Sequence, residues 1–381
     1  MAKPQTAFNS LAKAHLADAF RWSGATPIEA AAVLAAGLGM AIPVLLAALN
    51  GHTALGLLAA AGSLAVGRVD LGENFRSHLA RLARSLVPAM VAASLAILFR
   101  ANGWLTAVAL VLPSAIAATI SGFSRVIAVE TTRFVVFLTI VSALPIPPAS
   151  PDPWRPVVFF LLIVTGALWT ALLSLILGAV LRRHRANKSG APNEPAQSAS
   201  LRQKYIRWKR SLSTLAGWSY PVRLLSCLSL AAMMDILWPS HHLHWLLLTV
   251  AILTGRQVEP APVKTTQRAI GTALGVVAAG LFLRLELPLW ALILLIGLLA
   301  GLRPWLRNGN YLAYSAVMTP LVILIIDAGR TPENGILVDR LAATLIGALL
   351  VVAANLLFAR LTHSRQQPSN VERRLQVKGL S

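Results

Sequence analysis

Charged residues are scarce in this chain, and acidic ones are the scarcest. Of its 381 residues only 13% are charged, with 14 Asp and Glu against 34 Lys and Arg. Soluble domains carry about twice that share of charge. Because 56% of the residues are apolar, a disordered chain and an ordinary soluble enzyme are excluded. The single cysteine, Cys227, excludes a secreted domain built on disulfides.

The motifs of enzyme chemistry are also missing. The sequence has no Walker A run, no Gly-x-Ser-x-Gly elbow, no His-Glu-x-x-His pair and no paired thiols. We therefore predict that the chain is not an enzyme. The same lack of ligand patterns predicts no cofactor and no metal site.

Long apolar runs are what the chain has in place of charge. A helix of roughly 17–25 apolar residues can cross the hydrocarbon core of a membrane, and twelve segments qualify, several of them short. They are Ala30–Leu49, Thr53–Val66, Leu82–Phe99, Trp104–Ile120, Val126–Leu144, Val157–Leu181, Val222–Trp238, Leu243–Thr254, Ala269–Leu283, Leu289–Leu302, Asn310–Ile326 and Leu337–Phe358.

The net charge of +20 indicates either a nucleic-acid partner or basic residues gathered on one side of a bilayer. With the amino terminus inside, alternate loops and termini hold 27 of the 34 basic residues, and the opposite loops hold five. Such a bias predicts orientation. We therefore predict an all-α membrane protein of about twelve transmembrane helices in the bacterial inner membrane, with both termini cytoplasmic.

Five parts follow from this topology. They are an amphipathic amino terminus (1–27), a first six-helix repeat (28–182), a basic cytoplasmic linker (183–220), a second six-helix repeat (221–361) and a cytoplasmic tail (362–381).

In the linker, Tyr205 and Trp208 alternate with basic residues, which is typical of nucleic-acid binding or of an interfacial helix on anionic lipid. The membrane context favours anionic lipid as the partner, and we predict no nucleic acid.

The two repeats are predicted from a weak internal similarity. Gly67 and Arg68 follow the second apolar segment, and Gly255 and Arg256 follow the eighth. Because each half has an even number of segments, the two halves share one orientation and are related by an axis along the membrane normal. A site between two such bundles is a common design for a transporter.

Three stretches of the second half resemble a known family. They are Trp245-Leu-Leu-Leu-Thr-Val-Ala-Ile-Leu-Thr-Gly-Arg256, Arg268-Ala-Ile-Gly271-Thr272-Ala-Leu-Gly275, and Asp339-Arg340 with Thr344 and Gly347. This sequence is similar to the fusaric acid resistance (FUSC) and aromatic acid exporter family over about residues 220–360, and only loosely before that. The resemblance implies efflux of small, often aromatic, carboxylic acids.

Charged residues inside apolar segments are candidates for function because they are costly to bury. Glu130 and Arg133 stand three residues apart in the fifth segment and so share a helix face. In one interpretation Arg133 binds the substrate carboxylate, and Glu130 takes up a proton that releases this grip. In the other, the two form an internal ion pair that ties helices together.

Asp235 lies near the outer end of the seventh segment, just before His241, His242 and His244. A proton relay, a metal site and a solvated outer loop are all consistent with this cluster. The irregular spacing favours the solvated loop over a metal site.

Four other charged residues and one amide are candidates. Arg84 and Arg268 enter helices at the inner side, where they attract anions or anchor the helices to the cytoplasmic face. Asp339 and Arg340 form an outer gate or begin the last helix, and Asn355 lies within that helix.

Together these observations predict a secondary transporter that exports a small organic acid by exchange with protons. Three alternatives stay open: a passive anion channel, a major facilitator-type transporter and a non-transporting membrane scaffold. The major facilitator pattern Gly-x-x-x-Asp-Arg-x-Gly-Arg does not occur between Gly67 and Arg84.

Overall fold

A computed structural model describes ten stretches of the chain: residues 17–23, 29–66, 75–100, 103–144, 154–185, 200–239, 243–256, 261–285, 287–327 and 335–378. Throughout these stretches the regular structure is helical, as predicted. The helices are α1 (Ala30–Leu49), α2 (Thr53–Gly62, continued by a 3-10 turn at Ser63–Ala65), α3 (Phe75–Leu98), α4 (Gly103–Ile120), α5 (Arg125–Ala143), α6 (Arg155–Arg185), α7 (Leu201–Leu212), α8 (Leu215–Leu237), α9 (His244–Leu253), α10 (Ala261–Arg284), α11 (Leu289–Gly309), α12 (Tyr311–Asp327) and α13 (Ile336–Lys378).

Nine helices of the described stretches are long and apolar enough to cross a membrane, and three apolar helices are shorter. The short ones are Thr53–Ala65, His244–Leu253 and Tyr311–Ile326. All twelve overlap the apolar segments expected from the sequence. The chain is therefore a multi-pass membrane protein.

Helices α2 and α9 are too short to cross a bilayer by themselves. Each has ten residues, or about 15 Å of helix, against a hydrocarbon core of about 30 Å. Most of their residues are buried, from Gly56 to Gly62 in α2 and from Trp245 to Ala251 in α9. Short helices of this kind are tolerated at membrane depth when protein surrounds them.

Helix packing in the second set of six helices matches packing in the first. In the first set α1 packs on α2 and α6, α2 packs on α6, α3 packs on α5 and α6, and α4 packs on α5. In the second set α8 packs on α9 and α13, α9 on α13, α10 on α12 and α13, and α11 on α12. The contacts between the sets also form equivalent pairs: α1 with α11 and α8 with α4, then α5 with α9 and α12 with α2.

Small residues allow these helices to approach closely. A Cβ added at Gly166 of α6 would collide with the carbonyl oxygen of Ala59 in α2. Beside this contact the Thr170 hydroxyl donates to Ser63 Oγ over 2.8 Å, and Ser63 donates to the Gly39 carbonyl over 2.9 Å. Backbone contact and buried hydroxyl bonds therefore join α1, α2 and α6.

Helix α7, from the basic linker, docks on the first set of helices. The Trp208 indole donates to the Thr119 carbonyl over 3.0 Å, at the end of α4. The same ring lies over Gly122 and meets Phe123 edge-on. Helix α7, which leads into the second set, therefore binds to the end of α4 and to the loop between α4 and α5.

The segment at 17–23, which leads into the first set, docks in turn on the second set. The backbone N–H of Ser23 donates to the Gly309 carbonyl over 2.8 Å. Trp22 packs on Trp305, with 5.6 Å between the ring centroids, and covers Gly309. Each set of helices is therefore preceded by a segment that binds to the end of the fourth helix of the other set.

The close contact of α2 with α6 generates a prediction. Gly166→Ala is expected to lower the free energy of unfolding by about 1–3 kcal/mol, because the new methyl group forces two helix backbones apart. Thermal unfolding of the purified protein in detergent measures the change. Gly103→Ala is the matched control, since the nearest atom to a Cβ there is 3.8 Å away. Equal unfolding temperatures for the two variants would contradict the prediction.

Candidate functional site

Glu130 and Arg133 form an ion pair on α5. Arg133 Nη1 lies 2.8 Å from Glu130 Oε2, and the two side chains are only 20% and 14% exposed. Ser124 caps the helix by accepting the backbone N–H of Ile127, which fixes where α5 begins. The shared helix face expected from the sequence therefore brings the two charges into direct contact.

Charges from both helix sets act on this pair. The Glu130 carboxylate is attracted by Arg133 and also by Arg84 of α3, in the first set. Arg133 is repelled by Arg307 of α11, in the second set. Charged groups from both halves of the protein therefore act on this pair.

A second group of charges lies at the start of α10 and α12. Arg268 is 3% exposed, and Lys264 stands one turn before it on α10. Lys264 Nζ lies 5.4 Å from the centroid of the Tyr311 ring. Asn310 accepts the backbone N–H of Leu312 over 2.7 Å, so the first turn of α12 is capped and Tyr311 is held facing α10.

Arg340 stacks on Trp245. The guanidinium carbon of Arg340 in α13 lies 3.6 Å from the centroid of the Trp245 ring in α9, and both residues are almost fully buried. A cation over an indole face is attracted by the ring, more strongly when water is excluded. Asp339 lies in the first turn of α13, where a carboxylate suits the positive end of the helix dipole. Two residues of the family-like stretches thus meet in one contact.

Asp235 is separate from these groups. Asp235 is partly buried near the end of α8. Among the described residues, loss of water around its carboxyl group is the effect that acts on it, rather than a neighbouring charge. His244 begins α9 with its ring 4.7 Å from that of Trp245. His241 and His242, which the sequence interpretation placed beside Asp235, lie outside the described residues.

Arg223, the most buried charged residue that the structure describes, has a role that we did not predict from the sequence. Arg223 of α8 is 1% exposed and donates to Asn355 Oδ1 in α13, to the Gly255 carbonyl over 3.2 Å and to the Ser219 carbonyl over 3.1 Å. These bonds join α8 and α13 to the end of α9. The sequence does show Arg223 and Asn355 as polar residues in separate apolar segments, but nothing in the sequence indicates that they form a pair.

The Arg223 bonds generate a prediction about stability. Arg223→Gln removes donors to Gly255 and Asn355, and we expect a loss of about 1–3 kcal/mol in the free energy of unfolding. Thermal unfolding in detergent gives the measurement, with Arg202→Gln on the exposed face of α7 as control. Full stability combined with lost transport would contradict the structural role and place Arg223 on the substrate pathway.

Comparison with known proteins finds a similarity within the second set of helices. Residues 226–354 match the family model described as fusaric acid resistance protein-like. No curated protein and no solved structure matches the chain. The matched range contains α9 to α12 complete, with Trp245, Arg268 and Arg340, so the resemblance that was expected from these stretches is confirmed. Residues 226–354 of this multi-pass membrane protein therefore form a fusaric acid resistance protein-like domain.

Proposed function

We propose that the protein is a secondary transporter of the bacterial inner membrane that exports small organic acids, aromatic ones among them, in exchange for protons. The fusaric acid resistance protein-like domain supports a transporter rather than an enzyme. The observation that carries the proposal is the Glu130–Arg133 pair, a carboxylate and a guanidinium in one apolar helix. Intramembrane pairs of this kind mark proton and substrate pathways.

Arg133 is the proposed carboxylate ligand. A guanidinium donates two parallel N–H bonds to a carboxylate, and Glu130 already occupies one of its nitrogens over 2.8 Å. A substrate carboxylate therefore competes with Glu130 for Arg133. This competition couples substrate binding to the protonation state of Glu130.

Proton exchange sets a condition on Glu130. If the displaced Glu130 took up a proton at once, that proton would leave the cell together with the acid. Exchange requires Glu130 to stay charged while Arg133 holds the substrate, and Arg84 is the cation placed to attract it in that state. Once the substrate leaves on the outer side, Glu130 takes up the proton that travels inward.

We also propose two six-helix repeats related by a twofold axis along the membrane normal. The equivalent contacts within and between the two sets of helices support this arrangement. The reciprocal docking of the 17–23 segment and of α7 on opposite sets supports it as well.

The charge bias of the loops supports an orientation with both termini cytoplasmic. In that orientation α7 lies at the inner surface. Its basic residues Arg202, Lys204, Arg207, Lys209 and Arg210, with no buried residue in the helix, suit anionic lipid headgroups.

The orientation has a direct test. A single cysteine at Ser198, in a chain that carries Cys227→Ser, is expected to react with a membrane-impermeant maleimide only after spheroplasts are permeabilised. In a separate variant that also carries Cys227→Ser, a single cysteine at Ser150 is expected to react in intact spheroplasts, before permeabilisation. The opposite pattern would reverse the orientation.

Transport by Glu130 and Arg133 variants tests the function. Proteoliposomes loaded with terephthalate, whose two charges keep passive leakage low, are given an inward proton gradient and the release of terephthalate is followed. Arg133→Gln is expected to reduce release at least tenfold, because it removes a charged ligand worth about 1.5–3 kcal/mol. Glu130→Gln is expected to make release independent of the proton gradient.

Arg125→Gln is the matched control, an exposed arginine at the start of the same helix that is expected to leave transport unchanged. Undiminished, proton-driven release by a folded Glu130→Gln, Arg133→Gln double variant would refute the proposed site. Conductance in a planar bilayer without any dependence on the proton gradient would instead favour the passive channel.

A further inference from the structure

Three cations gather around Tyr311 at one end of the fusaric acid resistance protein-like domain. Lys264 and Arg268 belong to α10, and Arg307 comes from α11. The charged groups that act on Lys264 among the described residues are Arg268 and Arg307, both of its own sign. Burying like charges together is costly unless an anion joins them.

The donors of this cluster are only partly used. Lys264 Nζ donates to the Ile252 carbonyl over 3.0 Å. Arg268 Nε has no hydrogen-bond partner among the described residues, although the side chain is 97% buried. The Tyr311 hydroxyl oxygen lies close to the Arg268 guanidinium, which can donate to it, and no described acceptor takes the Tyr311 O–H. Two buried donors therefore stand side by side with bonding capacity left over.

The first set of helices provides an internal comparison. Helices α3 and α5 pack as α10 and α12 do, and there Arg84 acts on the carboxylate of Glu130. In the second set Arg268 meets the neutral phenol of Tyr311 instead. The first set supplies an anion to its arginine, whereas the described part of the second set supplies a phenol, which is a hydrogen-bond donor.

We infer that Lys264, Arg268 and Tyr311 form a binding site for the carboxylate of an aromatic acid, separate from the Glu130–Arg133 pair. The guanidinium fork and the phenol O–H donate to the two carboxylate oxygens, and the Lys264 ammonium adds a third donor, the second that is charged. Tyr311 and Tyr314 are stacked with centroids 5.8 Å apart and offer an aromatic surface next to these donors. This assignment deepens the proposed function, since the site would receive the acid before transport.

Equilibrium binding of benzoate to the purified full-length protein tests the site, with benzamide as the uncharged probe of the same shape. Binding of benzoate but not of benzamide is expected. Arg268→Gln is expected to raise the Kd for benzoate roughly tenfold to a hundredfold, because it removes a charged hydrogen bond. Tyr311→Phe keeps the ring but loses the hydroxyl, and we expect a smaller increase of several-fold.

Arg284→Gln is the matched control, an exposed arginine at the far end of the same helix. Unfolding temperatures equal to that of the unaltered protein establish that the variants are folded. Arg268→Lys retains the charge, and we expect its Kd to lie between those of the unaltered protein and Arg268→Gln.

The outcomes separate this site from the proposed function. Unchanged benzoate binding in folded Arg268→Gln would overturn the site, and proton-driven export by the same variant would leave the transport proposal standing. A third outcome is that the protein binds benzoate but not benzamide, that this binding requires Arg268, and that the protein moves no acid across the vesicle membrane. That result would uphold the site and refute the transporter. Loss of binding in Arg133→Gln but not in Arg268→Gln would place the carboxylate on α5.

Discussion

The cost of placing a charge in an apolar interior governs how this protein is arranged. Three buried arginines and the partly buried Arg133 meet that cost in four ways: Arg133 pairs with a carboxylate, Arg223 with carbonyls and an amide, Arg340 with an indole ring, and Arg268 lies beside a phenol. The partners of Arg223 and Arg340 belong to packed helices and suit a fixed framework. Glu130 occupies one nitrogen of Arg133, and Arg268 Nε has no hydrogen-bond partner among the described residues, so our functional proposals rest on these two.

The helical framework brings these charges close to one another. Helices α2 and α9 are short and buried, and each packs mainly against two longer helices of its own set and one helix of the other set. Close backbone contact at Gly166 and the bonds of Arg223 hold these short helices in place. The segments that precede each set are fastened to the opposite set, so a relative movement of the two sets has to involve the 17–23 segment and α7 as well.

Much of the fold could be predicted from the sequence, because hydropathy and basic-residue bias are strong in a chain with so few charges. The apolar segments correspond to apolar helices, and the stretches around Trp245, Arg268 and Arg340 correctly indicated the family-like domain. The contact of Arg340 with Trp245 could not be predicted, because the two residues belong to separate segments. The pairing of Arg223 with Asn355 was missed for the same reason, since 132 residues separate them. Only Glu130 and Arg133, neighbours on one helix, could be paired from spacing alone.

The central claim is that an acid leaves through the protein as a proton enters. Proteoliposomes with a pH dye and labelled terephthalate inside, and with the membrane potential clamped, report both movements at once. The account predicts that terephthalate efflux acidifies the lumen, and that Arg84→Gln abolishes the acidification while efflux continues. Efflux that leaves the lumen pH unchanged or makes it more alkaline in the unaltered protein would contradict proton exchange.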